Sequence, residues 1–332
     1  MTQKANYDIL GIGAPIVDHI IRVSEDFIQQ LDGGKGGMVM IDHDTLSKLL
    51  ADLGGEASLI AGGSCSNTIK GLTRFGNRCA LWGKVGKDPS RLVFTESLKE
   101  QGVTPLMLTS DTPTGHAVCL ITPDGERTMR TYFGASLEMT DKDLDPSIFN
   151  DIKHLHLEGY NFFKENLVEE SIKLAKSAGA TISLDLASYE IVNMFKDRII
   201  DILKNGVDIV IANADEAWSL TGLPPEASCH TLKDLCDTAV VLFGEGGCWV
   251  GQDNEVIHGA AFPTEPVDTT GAGDLFASGF IHGYLQNLPL PECARLGNLA
   301  GSAVVQVLGA EIPPVAWEHI RTGSHIKIDA IS

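Results

Sequence analysis

The segment Asp268-Thr269-Thr270-Gly271-Ala272-Gly273-Asp274, running into Leu275-Phe276-Ala277-Ser278-Gly279-Phe280, holds the residues best suited to chemistry. Gly271 and Gly273 flank a small residue where the pattern predicts the start of a helix. N–H groups at a helix start are unpaired and point outward, and glycine lets an anion come close to them. Such a start forms a hole for charge developing on a transferred phosphoryl group or an oxyanion. Asp274 falls in the first turn beside that hole, where a carboxylate can take the proton of an attacking hydroxyl. A tight loop capped by Asp is the plainer reading of a lone Gly-x-Gly-Asp. Gly62-Gly63 upstream and the Gly-rich turn Gly244–Gly247 favour chemistry for the whole string.

Other spacings invite weaker readings. Gly11-Ile12-Gly13-Ala14-Pro15-Ile16 begins like a dinucleotide fingerprint, but the third glycine is missing and Pro15 intrudes. Gly71 and Gly76 have phosphate-loop spacing, yet Asn77 stands where that loop requires Lys. His154, His156 and Glu158 alternate on an expected strand, so they share one face at about 6.6–7 Å intervals. They could bind a metal; polar residues reaching a substrate cleft from a strand end is the preferred reading. Asp32–Gly37 reads as a turn rather than a phosphate loop. Asp185, after an apolar strand, is either a ligand or a turn former.

Short apolar runs alternating with helical patterns must position these groups. Strands are expected at Tyr7–Ile12, Ser58–Ala61, Cys79–Lys84, His154–Leu157, Thr181–Leu184, Val207–Ile211, Ala239–Phe243 and Cys248–Gly251. Helices are expected at Thr45–Leu53, Asn67–Phe75, Ser90–Glu100, Glu165–Ala175, Tyr189–Leu203, Ala272–Leu285 and Pro291–Val307. This rhythm predicts an α/β fold with a mostly parallel central sheet covered by helices on both faces. Two stretches break it. Val17–Asp42 carries the glycine run and the strand-like Met38–Ile41. Thr114–Phe133 reads as a hairpin, Ala117–Ile121 and Thr128–Tyr132 around Pro123-Asp124-Gly125. Adjacent strands without a helix between them do not belong to a βαβ repeat. The expectation is one large α/β domain over 1–332, with a small β-sheet lid made of two inserts at about 14–42 and 112–134.

Composition narrows the partners. With 25 Lys+Arg against 44 Asp+Glu, the formal charge of the 332-residue chain is −19, which disfavours a nucleic-acid partner. Hydrophobic residues at 43% and charged residues at 21% suit a globular chain with a large core. Seven scattered Cys, with no Cys-x-x-Cys pair, suit reduced, mostly buried thiols. No apolar run approaches the ~18 residues of a membrane span, and the N-terminus lacks a signal-like apolar core. A cytoplasmic protein with no membrane partner is expected.

The chain resembles the ribokinase-like (PfkB) carbohydrate kinase family, which includes adenosine kinase. Asp268–Asp274 is similar to the family's C-terminal signature. Ala61-Gly62-Gly63-Ser64-Cys65-Ser66-Asn67-Thr68, followed by Gly76, Gly83 and Gly86, is similar to its N-terminal signature. Asn213-Ala214-Asp215-Glu216 matches its Asn-x-x-Glu motif. The three motifs fall in the family's order across residues 6–320. Leu157–Tyr160, Leu184–Ser188 and the C-terminal signature with its Leu275–Phe280 extension look most like bacterial adenosine kinase-like and sugar kinase-like members.

The resemblance implies a ribokinase-like fold, ATP and Mg²⁺ as cofactors, and roles by position. Asp274 would be the base, and Gly271, Ala272 and Gly273 the anion hole. Asp18, Gly62, Gly63, Asn67 and Glu158 would bind substrate. Asn213, Gly244, Thr269 and Asn298 would face ATP. Glu216 would hold Mg²⁺ through water, and Asp268 lies where a monovalent cation such as K⁺ would sit. Family members often dimerise through the lid. The expected reaction is transfer of the γ-phosphate to a primary hydroxyl of an adenosine-like nucleoside. A free sugar such as ribose or fructose is the alternative substrate, and a non-catalytic kinase-like binding protein the alternative of another class.

Overall fold

The computed structural model describes residues 7–54, 58–124 and 126–328. Among these residues the larger sheet has nine strands. In spatial order they are Glu255–Gly259, Cys248–Gln252, Thr238–Leu242, Ile209–Asn213, Thr181–Asp185, His154–Glu158, Ile9–Ile12, Cys79–Gly86 and Thr104–Ser110. The seven from Thr238–Leu242 onward run parallel, and the first two add an antiparallel edge. This is the expected α/β architecture.

Alternation along the strands builds two cores. Leu10, Ile12, Leu155, Leu157, Ile182 and Leu184 pack on one face with the helices Leu167–Ser177 and Tyr189–Asn205. Ile9, Leu81, Ile209, Ile211 and Val240 pack on the other with Ser64–Arg74, Ser90–Glu100 and Ala272–Leu285. Period-two alternation puts successive residues on opposite faces, so a sheet covered on both sides needs apolar residues at nearly every position.

The smaller sheet runs Met38–Met40, Arg127–Tyr132, Gly115–Ile121, Ile16–Arg22, Ser58–Gly62. Four of its strands come from the two stretches that break the βαβ rhythm. The fifth, Ser58–Gly62, was expected in the main sheet. It pairs antiparallel with Ile16–Arg22 instead, and its alternation carries no mark of which sheet it joins. The hairpin is antiparallel, Cys119 opposite Met129; Gly125 of its turn lies outside the described residues. One face of this sheet, with Ile16, Ala117, Cys119 and Met129, packs with Ala14, Phe133 and Tyr160. The other is covered by the chain's own helices, with Ile28, Leu46 and Leu49 buried against Val118 and Leu120.

Gly11 and Gly13 serve close packing. A Cβ on Gly11 would meet Ile69 at 2.5 Å, and one on Gly13 would meet Cys65 at 2.4 Å. Their absence lets the helix Ser64–Arg74 lie close against the first strand. The same helix meets Ala272–Leu285 at Gly71, where a Cβ would fall 2.4 Å from Ser278 Oγ.

Candidate active site

The C-terminal ends of the parallel strands release Ala14, Glu158, Asp185, Asn213 and Gly244 toward one cavity of about 820 Å³, which extends beneath the smaller sheet. Ligand sites of open α/β sheets form at these strand ends.

Asp274 lies in the first turn of the helix Ala272–Leu285, capped by Gly271 at φ +75°. A side chain at Gly271 would be strained at that angle, and its Cβ would fall 2.6 Å from Ala310 Cβ. Asp274 Oδ1 accepts from Ser64 Oγ at 2.7 Å, and Oδ2 accepts from Asn67 Nδ2 at 2.9 Å. Burial pushes its carboxyl above the usual range, while these two donors and the charges of Arg127 and Lys70 oppose the rise. Among the described residues the N–H groups of Gly271, Gly273 and Asp274 have no hydrogen-bond partner. The expected hole included Ala272, but that N–H turns back to Thr269 O at 3.2 Å. The N–H groups left free at this helix start are therefore those of Gly271, Gly273 and Asp274.

Asp18 is buried and lines the cavity. Burial lifts its pKa to about 7, against the attraction of Lys70 and Arg127. Gly62 makes room for it: a Cβ there would fall 2.0 Å from Asp18 Oδ2. Gly62 and Gly63 were both expected to contact substrate; of the two, Gly63 lines the cavity. Gly63 needs its glycine too, with φ +93° and a Cβ that would meet Ala14 O at 2.5 Å. Asn67 also lines the cavity, and its Oδ1 is buried with no partner among the described residues.

Glu158 lines the cavity, but backbone holds both its oxygens. Oε1 accepts from Ala14 N at 2.6 Å and Oε2 from Cys65 N at 2.8 Å. It thus ties the loop after the first strand to the helix Ser64–Arg74. His154 and His156 do not reach the cleft. They are buried and bonded to Thr181 and Ser183 hydroxyls at 2.8 Å, and burial lowers both pKa values to about 3, which keeps the rings neutral. Asp185 combines its two readings: it accepts from Ala187 N at 2.8 Å and lines the cavity. Burial and the nearby Asp274 raise its pKa to about 7.

Asn213 and Glu216 form a reciprocal cap of the helix Ala214–Thr221. Glu216 Oε2 accepts from Asn213 N at 2.8 Å and Oε1 from Asn213 Nδ2 at 2.6 Å. Burial, then Asp185, drive the Glu216 carboxyl well up. Both residues line the cavity, as do Gly244, Thr269 and Asn298. Asn298 Nδ2 donates to Gly259 O at 3.3 Å. Asp268 is not among the lining residues. It braces the turn: Oδ1 accepts from the N and Oγ1 of Thr270 at 2.9 and 2.6 Å, and Oδ2 from Gly309 N at 2.8 Å.

Sequence reasoning missed Arg127, Thr131 and Lys70. Arg127 is the sole basic side chain lining the cavity among the described residues. It stands in the hairpin strand at period two with Met129 and Thr131, which would have placed all three on one face. Lys70 is buried below the cavity, donates to Ala61 O, and lies 3.6 Å from Glu311.

Comparison with known proteins agrees with this geometry. Residues 36–317 match the pfkB family carbohydrate kinase model. The adenosine kinase from Sinorhizobium meliloti is 33% identical and superposes over 96% of this chain and 100% of its own, TM-score 0.91. A probable sugar kinase from Rhizobium etli is 32% identical over 97% and 99% of the two chains, TM-score 0.90. A nucleoside kinase from Methanothermobacter thermautotrophicus is 26% identical over 75% of this chain and 80% of its own. The chain belongs to the pfkB family of carbohydrate kinases and is a phosphotransferase acting on a hydroxyl group of a sugar or nucleoside.

Proposed function

We propose that the chain transfers the γ-phosphate of ATP to a primary hydroxyl of a nucleoside such as adenosine. The observation that carries this reading is an apolar slot beside Asp18. Buried Ala14, Ile16, Ala117 and Phe133 form it, with Met38, Met129 and Tyr160 packed against them. The Phe133 and Tyr160 rings lie 5.2 Å apart. A flat heterocycle gains from such a surface. A free sugar, with hydroxyls around its whole ring, gains less. The likeness to an adenosine kinase and a nucleoside kinase supports the same choice.

In this account Asp18 and Asn67 Oδ1 accept from sugar hydroxyls, and Gly63 lets the sugar approach the backbone. Asp274 takes the proton of the attacking hydroxyl, held in place by Ser64 and Asn67. The N–H groups of Gly271, Gly273 and Asp274 receive the developing charge, aided by Arg127. Asn213, Gly244, Thr269 and Asn298 hold the nucleotide. Among the described residues no three His, Cys, Asp or Glu side chains cluster as a metal cage. That suits Mg²⁺ carried on phosphates with waters as its other ligands. Asn213 and Glu216 would hold those waters, since each Glu216 oxygen keeps a lone pair beyond its cap bond. When bound, Mg²⁺ supplies charge neutralisation on the phosphates. Asp268 would serve K⁺ only with the lone pairs its three donors leave, so turnover is expected to depend weakly on K⁺.

The smaller sheet, on this reading, is a lid whose closure excludes water. Its outer face is already covered, so a second copy would pair through an edge strand such as Ser58–Gly62. Seven free cysteines, six of them buried, suit a reducing cytoplasm; among the described residues no helix is long and apolar enough to cross a membrane. A coupled assay of ADP release across nucleosides and free sugars tests the reading. Preference for adenosine supports it. Preference for ribose or fructose over every nucleoside overturns the substrate, and nucleotide binding without any turnover overturns the activity.

A further inference from the structure

Thr131 lines the apolar slot and carries a buried, unpartnered hydroxyl. The residue is 4% exposed and lines the cavity, and its Oγ1 has no hydrogen-bond partner among the described residues. The register sets its surroundings. Asp18, Ala117, Thr131 and Met40 form one row across the smaller sheet. The next row on that face is Ile20, Cys119, Met129 and Met38. Ile16 and Phe133 lie on the other side. A buried hydroxyl left without a partner destabilises the free protein. Buried polar groups without a partner are rare enough to need a reason. A ligand atom arriving in the slot supplies one.

The position says which ligand atom. Thr131 is two strands from Asp18 in the same row, about 10 Å away at the usual strand spacing. A single sugar ring held at Asp18 does not span that gap. A sugar carrying a fused heterocycle does, with the far edge of the base against Thr131. We propose that Thr131 is a specificity-determining residue whose hydroxyl bonds a heteroatom on the base edge of a nucleoside; this rests on the nucleoside reading above. The hydroxyl both donates and accepts, so it takes an exocyclic amino group or a ring nitrogen alike. It rejects bases that offer neither at that edge, because the hydroxyl then stays unpaired.

The test compares wild type, Thr131→Val and Thr131→Ser in steady-state kinetics with adenosine, together with the melting temperature of each free protein. Valine keeps the shape and removes the hydroxyl. Its kcat/KM for adenosine is expected to fall about 10-fold, the equivalent of one buried hydrogen bond, through KM with kcat nearly unchanged. Serine should retain most of the wild-type value. The free valine variant should melt at the wild-type temperature or above, since it loses an unsatisfied group. Wild-type KM in Thr131→Val, or a lowered melting temperature in both variants, overturns the proposal. Failure of the nucleoside reading is a different result: the wild type itself would then prefer a free sugar, whatever the variants do.

Discussion

Asn67 Nδ2 donates to Asp274 Oδ2 at 2.9 Å across 207 residues of chain. The bond joins the first turns of two helices that meet where Gly71 leaves space for Ser278. It favours the charged carboxylate and so restrains the rise that burial imposes on Asp274. Asn67→Leu should therefore raise the Asp274 pKa further. Turnover should drop by about 10- to 100-fold near neutral pH, as expected when a base is more often protonated and less firmly held. The acidic limb of the kcat–pH profile should move to higher pH. An unchanged limb would show that Asn67 does not tune the base.

The motifs were legible in the sequence; the partnerships between them were not. Asp274, Gly271 and Gly273 stand out by type and spacing. That Ser64 and Asn67 hold Asp274 depends on how two helices pack, which no local pattern encodes. Gly62 and Glu158 were legible as part of the site, but their work is indirect: one makes room for Asp18, the other ties Ala14 to Cys65. Ser58–Gly62 shows the limit for strands, since its residues suit either sheet and pairing partners decided the outcome. The helix, expected at Tyr189–Leu203, runs to Asn205; the structure shows Ser188 capping its start, a local signal.

Gly62→Ala tests whether the glycine pair serves Asp18. The new methyl would fall 2.0 Å from Asp18 Oδ2, so the carboxylate must move. A shift of about 1 Å in a positioning group costs on the order of 100-fold in kcat/KM. That loss is expected with ATP binding, read by calorimetry, unchanged. Near-wild-type kcat/KM would show that Asp18 does not need its present place.

Asp18 also predicts how stability varies with pH. Its folded pKa of about 7 exceeds the ordinary 3.8. Between these values the folded protein keeps a proton that the unfolded chain has released, so this residue costs stability as pH rises from about 4 to 7. Asp18→Asn removes that cost. The variant should gain little at pH 4 and up to about 4 kcal/mol at pH 8, at about 1.4 kcal/mol per pKa unit. Urea denaturation at both pH values measures the gap. A gap of the same size at pH 4 and pH 8 would contradict the buried, proton-holding carboxyl.

Gly271→Ala should damage both fold and function. At φ +75° with Ala310 Cβ only 2.6 Å from the new methyl, the helix start must shift. A cost of about 1–3 kcal/mol is expected for the backbone strain, read as a lower urea midpoint. A larger loss is expected in kcat, because the N–H groups of Gly273 and Asp274 move with that turn.

Direct phosphoryl transfer with Asp274 as the base is tested most directly by ³¹P NMR of ATP, Mg²⁺ and adenosine with wild type and with Asp274→Asn. Wild type should produce a phosphate monoester on the primary hydroxyl of adenosine together with ADP. The variant should still bind both ligands while forming product at least about 1,000-fold more slowly, as expected when a general base is removed. Product formation at the wild-type rate by Asp274→Asn would contradict the account.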